Sequence, residues 1–263
     1  MPDLTLAITA HSEALVAGPT MHSARAAVER ILTAGYTVQL LLGLDNCTDE
    51  CRAYMTQEAF SDFETHEFAF GDQGKTRNAL ADLATGHWLA FLDADDLFSE
   101  NWLIRSIEVL KAAEERGEDA ISHPELNWQF DAISNVNSNP ADDHPFFSGR
   151  VLVTSNYYDA MCVAPRRLWQ ELRYPDRAVK DGYAFEDYQW FVEATALGWR
   201  HLIAPDTIIF KRRRDFSQTY ESRSNKVLIR SLEALAIDKA ADLTHMAARK
   251  LQMRETGKVG DEN

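Results

Sequence analysis

Within its first hundred residues the chain alternates four short apolar runs with helical stretches, and this rhythm limits the folds open to it. The runs are "LTLAIT" (4–9), "YTVQLLLGLD" (36–45), "HEFAFG" (66–71) and "WLAFLDAD" (88–95). Between the first two, about Met21 to Ala34 carries Ala24, Ala27, Val28, Ile31 and Leu32 at helical spacing and is closed by Gly35. Thr48 or Asp49 can cap a short helix through Cys51, Tyr54 and Met55, and "KTRNALADLATG" (75–86) reads as a helix stopped by Gly86. Strand, helix, strand, helix at this pace predicts a parallel sheet with helices on its faces. Such sheets bind ligands beyond the carboxyl ends of their strands. The turn "AHSE", Asp45 and the acidic residues after Leu92 are therefore expected on one edge.

The remainder predicts a helix from Asn101 to about Glu115, then a polar loop or small insertion over 131–149 that could lie over a site. A strand feeding a helix follows in "YYDAMCVAPRRLWQELR", a helix in "FEDYQWFVEATALG", and strand-like runs interrupted by Pro205 in "HLIAPDTIIFKRRR". Arg223 to about Met253 reads as a long amphipathic helix or helix pair. At 263 residues the chain suits one sizeable domain, or one with an appendage. A formal charge of −14 argues against nucleic acid as a partner, because counterion release needs a cationic face. No apolar run reaches about 18 residues, so no transmembrane helix is expected, and the N-terminus does not read as a signal peptide. Cys47, Cys51 and Cys162 lack the spacing of a zinc site or disulfide framework and read as small hydrophobes of a reducing compartment.

Three clusters can carry chemistry. In "HWLAFLDADDLFSENW" (87–102) an apolar strand runs into Asp93, Asp95 and Asp96. Alternate residues of an extended segment face the same way, so Asp93 and Asp95 can meet one ligand. Two hard oxygen donors suit Mg²⁺ or Mn²⁺ held jointly with a diphosphate; a solvated acidic loop is the competing reading. Lys75 and Arg77 stand in a Gly-flanked turn at a helix N-terminus, where free N–H groups favour anions, or they are simply solvated. "FKRRRDFSQ" (210–218) offers Arg212, Arg213 and Arg214 to phosphate, or forms a solvated basic loop. Glu186-Asp187 is either a pair favoured by a helix dipole or a source of a general base. Tryptophans default to core, with Trp128, beside the polar loop, the one that could stack on a sugar.

"LAITAHSEA", "LLGLDNCTDE", "GKTRNALADLATGHWLAFLDADD" and "GYAFEDYQWFVEATALGWR", in that order, resemble the successive signatures of family 2 inverting glycosyltransferases. The resemblance covers roughly residues 4–217. It implies an α/β GT-A (Rossmann-like nucleotide-binding) fold with a mixed central sheet flanked by helices and a C-terminal helical extension. Its domain would span 1–220, with a nucleotide-binding half 1–100 and an acceptor-binding half 101–220; the extension would be 221–263. It also implies a nucleotide-diphosphate sugar donor, a UDP-sugar ahead of others, and Mn²⁺ or Mg²⁺. Thr9, Ala10, His11 and Glu13 match the first nucleotide-binding turn, and Asp45 the acid that contacts the base. Lys75, Arg77 and Asn78 match the turn before the donor-binding helix. Asp93, followed by Ala94, matches the residue near the ribose and a metal ligand, Asp95 the principal metal ligand, and Asp96 an acid that either supports the metal ligands or contacts the sugar, its role left open. Glu186-Asp187 matches the motif supplying the catalytic base, with Asp187 favoured over Glu186. The chain departs from the pattern in "HSE" in the first turn, where Asn-Glu is frequent, and in Arg214, where many relatives place a His.

The expected activity is transfer of a sugar, with inversion, to a hydroxyl of a glycan or glycolipid. The alternatives are an inactive nucleotide-sugar-binding or scaffolding domain and a Mg-dependent nucleotidyltransferase. A cytoplasmic location is expected, with peripheral association at the inner face of the membrane and a homodimer through the C-terminal helix left open.

Overall fold

The computed structural model describes residues 1–214, 222 and 224–256. Among them, nine strands form one mixed sheet of order β3-β2-β1-β4-β8-β6-β9-β5, with β7 paired to β6. The parallel half is the one the alternation predicts: β1 (Leu4–Ala10), β2 (Val38–Asp45), β3 (Glu64–Phe68) and β4 (Trp88–Asp93). α1 (Ala17–Thr33), α2 (Asp49–Met55) and α3 (Gln73–Leu83) fall between successive strands of this half. Every residue of β1 is buried, as a central strand covered on both faces requires.

Strand alternation divides the core. Leu4, Leu6, Ile8, Ala90 and Leu92 pack with α1 and with α4 (Trp102–Glu115). Ala7, Leu41, Leu89 and Phe91 face α3, α5 (Arg166–Glu171) and α6 (Glu186–Ala196), where Trp169 and Trp190 stack 5.4 Å apart. α1 starts a turn earlier than the sequence suggests, because Gly18 and Pro19 lie in its first turn, where Pro's missing N–H costs no helical hydrogen bond. It stops as expected at Gly35, whose φ of +85° favours glycine.

Beyond β4 lie β5 (Leu97–Phe98), β6 (Ala120–Asp131), β7 (Asn135–Ser138), β8 (Val163–Pro165) and β9 (Arg200–Arg213). β8 runs antiparallel to β4, and β6 runs parallel to β9. Pro205 does not interrupt β9. A register shift between Pro124 and Leu126 and a left-handed Asp206 absorb it, as a bulge does. The expected loop 131–149 contains β7, which folds back on β6 as a hairpin.

The long helix expected from Arg223 to Met253 is not what the described residues form. Two 3-10 turns, Glu233–Leu235 and Ala240–His245, precede helix α7 (Met246–Thr256); Arg223 lies outside the described residues. Leu232, Leu235, Leu243 and Met246 pack one by one against the α6 side of the core. Tertiary burial overrides the helical periodicity there. No helix among the described residues is long and apolar enough to cross a membrane.

Candidate active site

The carboxyl ends of β1, β2 and β4 converge with α3's N-terminus and the end of β9, and the side chains there are built around Asp93. Register places Thr9 beside Asp93. Asp93 Oδ1 accepts from Thr9 Oγ1 (3.0 Å), Gln73 Nε2 (2.6 Å) and Arg77 Nη2 (2.7 Å). Its Oδ2 lies 3.1 Å from Lys211 Nζ. These cations outweigh burial and hold the Asp93 carboxyl well below the usual carboxylate range. Lys211 also reaches Asp96 at 2.8 Å and Asp159 at 3.3 Å. Burial, with Asp95, Asp93 and Asp159 nearby, pushes Asp96 up to about 8 against the pull of Lys211.

Asp95 sits at the rim. Its Oδ2 meets Arg214 at 2.6 Å, and the same guanidinium lies 3.4 Å from Glu13 Oε1. Glu13 Oε2 accepts from the N–H groups of His11 and Ser12, fixing the turn after β1. His11 Nδ1 lies 2.8 Å from the Asp45 carbonyl. The Asp45 carboxylate accepts from the N–H groups of Phe70, Gly71 and Asp72 and from Thr76 Oγ1. It thereby shapes the entry to α3, which Asp72 caps through Lys75 N.

Two adjoining cavities open here. One, of about 300 Å³, is lined by Thr9, Ala10, His11, Glu13, Asp45, Asp93, Ala94, Asp95, Asp96 and Arg212–Arg214 among others. The second, of about 1200 Å³, is bounded by the β6–β7 hairpin, the 153–160 loop, the start of α6 and residues 227–236. Gln73, Asp93, Lys211 and Arg213 line both. Lys75 and Asn78 line neither: Lys75 pairs with Asp176 at 3.2 Å, and the Asn78 carboxamide brackets the backbone of Tyr174. Trp128 also lines neither, since it alternates with Asn127 and Gln129 and tilts against Phe210 at 5.8 Å.

Glu186 and Asp187 open α6 on the wall of the larger cavity. The residue before them, Phe185, is left-handed (φ +63°), a strained setting for a bulky side chain. α3 approaches closely, because a Cβ at Gly74 would sit 3.1 Å from Glu186 Cγ. Burial and the neighbouring Asp187 push Glu186 up to about 7, although Arg77 Nη1 stands 3.8 Å away. Burial likewise raises Asp187, with Asp159 next in effect. Asp187 Oδ1 accepts from the Tyr188 N–H.

Sequence reasoning missed Gln73, Asp159, Arg177 and Lys211. Lys211 had a signal, since it shares a strand face with Arg213. Gln73 had one in Asp72, a good cap that starts α3 two residues earlier than read. Asp159 and Arg177 lie in loops without motif or period.

Among the described residues no group of three or more His, Cys, Asp or Glu side chains is arranged to hold a metal ion. The donor chemistry fits one ligand from the triplet. Asp93 has both oxygens engaged, whereas Asp95 meets Arg214 through Oδ2 and leaves Oδ1 to a ligand. A divalent ion that arrives with phosphate oxygens needs only one or two carboxylates.

The family model described as glycosyl transferase family 2 matches residues 5–121, which carry β1 to the start of β6 and the whole acidic triplet. The chain also matches solved structures of TarS from S. aureus. TarS 1–349 in complex with UDP-GlcNAc aligns with a TM-score of 0.61 at 13% identity, over 98% of this chain and 76% of that one. The complex with UDP gives 0.59 and 14%, over 97% and 72%. A longer TarS structure gives 0.57 and 12%; the match covers 81% of this chain and only 37% of that one. At these identities the likeness establishes the fold, which is GT-A. No curated protein matches in sequence.

Proposed function

We propose that the chain transfers a sugar from a nucleoside-diphosphate sugar to a hydroxyl of a glycan or glycolipid acceptor, with inversion at the anomeric carbon. The observation that carries this is the pair of cavities meeting at Asp93 and Lys211, with the buried carboxylate pair Glu186-Asp187 on the wall of the larger one. The smaller takes the nucleoside diphosphate, the larger the acceptor. The UDP and UDP-GlcNAc complexes of TarS favour a UDP-sugar.

Asp187 is the base: its second oxygen takes the acceptor hydroxyl's proton as that oxygen attacks the anomeric carbon. The bond from that carbon to the diphosphate breaks, and its electron pair leaves on the phosphate oxygen. Lys211, Arg213 and Arg214 stand where that charge develops. Glu186 is the alternative base, but its proximity to Arg77 suits it to orienting the α6 terminus. A Mn²⁺ or Mg²⁺ ion, when bound at Asp95, would supply further charge stabilisation to the diphosphate.

Asp187→Asn should retain UDP binding and lose transfer, measured by calorimetry and by product formation over a donor panel. Unchanged transfer would move the base elsewhere. Asp95→Ala should remove any Mn²⁺ dependence of UDP binding, and a metal effect of undiminished size would displace the cation from Asp95.

A further inference from the structure

Among the described residues, Lys211 and Arg213 are the cations that line both cavities, and they are held differently. Lys211 Nζ stands within 3.3 Å of Asp93, Asp96 and Asp159, so its charge is already balanced. Arg213 meets no carboxylate among the described residues. Its side-chain hydrogen bond there is to a neutral group: Nε donates to the Gln129 carboxamide Oε1 at 3.0 Å. The flanking arginines differ from it as well, since Arg212 pairs with Asp131 at 2.8 Å and Arg214 with Asp95 at 2.6 Å. A half-buried guanidinium keeps its charge, and with a neutral partner it favours an anion beside it.

Strand geometry explains the Gln129 contact. β6 and β9 run parallel, with Gln129 opposite Lys211 and Asp131 opposite Arg213. Side chains alternate, so Gln129, Lys211 and Arg213 share one face of the sheet, while Phe130 and Arg212 share the other. On that other face Arg212 lies over the Phe130 ring at 4.7 Å. Gln129 thus stands one two-residue step before Arg213 on the same face, within reach of its Nε. A guanidinium only donates, which settles the amide orientation: the oxygen faces Arg213. With Nε engaged, the N–H groups that remain are those of Nη1 and Nη2, a fork suited to two oxygens of one phosphate.

We propose that Gln129 is a positioning residue for the leaving group: it holds Arg213 by Nε and leaves the Nη1 and Nη2 fork to the diphosphate that departs where the two cavities meet. This rests on the transferase reading above. It also sets Arg213 apart within its basic run as the cation whose charge is available to that diphosphate.

Thermal shift with UDP, GDP, CDP and dTDP first identifies the nucleotide, UDP being expected. A double-substitution cycle then follows its binding to the full chain by calorimetry with Mn²⁺ present. Arg213→Met should weaken binding roughly a hundredfold, the loss of a charge-assisted pair. Gln129→Met keeps the side chain's length without the acceptor and should weaken binding roughly tenfold. With Arg213→Met already in place, Gln129→Met should add less than about twofold, because its effect passes through the guanidinium. Gln129→Glu should also weaken binding, since a carboxylate there takes the charge that the diphosphate needs, and it should melt no earlier than the wild type. Full additivity in the cycle would make Gln129 a separate contact and overturn the proposal. So would wild-type affinity in any of the three single variants, or early melting of Gln129→Met. The wild type is scored separately: a chain that binds none of the four nucleotides would sink the transferase reading itself.

Discussion

Arg77 and Asp93 form a buried ion pair, Nη2 to Oδ1 at 2.7 Å, with the arginine side chain 3% exposed. The guanidinium extends to Glu186 at 3.8 Å, so one side chain ties the nucleotide edge of the sheet to the start of α6. Among the described residues Arg77 Nε has no hydrogen-bond partner, and Tyr174's ring lies 5.8 Å from the guanidinium.

Removing Arg77 is therefore expected to leave Asp93 buried with its main counter-charge lost. Arg77→Met should cost about 3–5 kcal/mol of folding stability, the usual consequence of breaking one partner of a buried pair. Urea unfolding measures it. Arg77→Met/Asp93→Asn should recover much of the loss, because the orphaned charge goes too.

Lys211 is the counter-ion of three carboxylates from two loops and β4. Lys211→Met should reduce UDP affinity at least tenfold, since the cleft it lines becomes net acidic toward a diphosphate. Calorimetry at low and high salt should show the deficit shrinking as salt screens the field.

How much of this was open to inspection in the sequence depends on what kind of interaction placed each residue. The parallel half was legible because β1, β2 and β4 are apolar runs with their acids at the carboxyl end, and Gly35 marks a helix stop by backbone sterics. Asp93, Asp95, Glu186 and Asp187 were legible through motifs. Lys211 was quoted within its basic run and passed over for the arginines beside it, although strand alternation puts it on Arg213's face. Asp159 approaches Lys211 only through tertiary folding, and local sequence has no record of that. The segment after Asn225 misled for the opposite reason: its helical spacing is real, but its leucines bury better against α6 than against one another.

Glu186 makes stability depend on pH. A carboxyl whose proton is held more tightly in the folded state, up to about 7 against 4.5 unfolded, stabilises the fold at low pH. That contribution is complete below about 4.5 and is lost as pH rises through about 7. The urea midpoint of the wild type should fall between pH 5 and pH 8, and Glu186→Gln should flatten that part of the profile. A wild-type slope that survives the substitution unchanged would assign it to another group.

His123 and His201 form a buried chain whose protons can be placed by accounting alone. Thr195 Oγ1 donates to the Phe191 carbonyl, so it accepts from His201 Nε2, 2.9 Å away. His201 Nδ1 is then bare and accepts from His123 Nε2 at 2.9 Å, which leaves His123 Nδ1 bare and unpartnered. Both rings are neutral Nε2–H tautomers, stacked on Tyr158 at 3.8 and 4.5 Å. Burial lowers both, His201 to about 3 with help from Arg200. A group with a depressed folded pKa gives stability that is present above its unfolded value of 6.5 and is lost as pH falls toward 3. Nitrogen-15 NMR of the imidazoles should show two Nε2–H rings that do not titrate between pH 8 and pH 5. His201→Phe should leave His123 Nε2–H without an acceptor and cost about 1–3 kcal/mol, the price of a buried unmade hydrogen bond. A ring that gains a second proton near pH 6 would show that water reaches the pair and that the proton assignment is wrong.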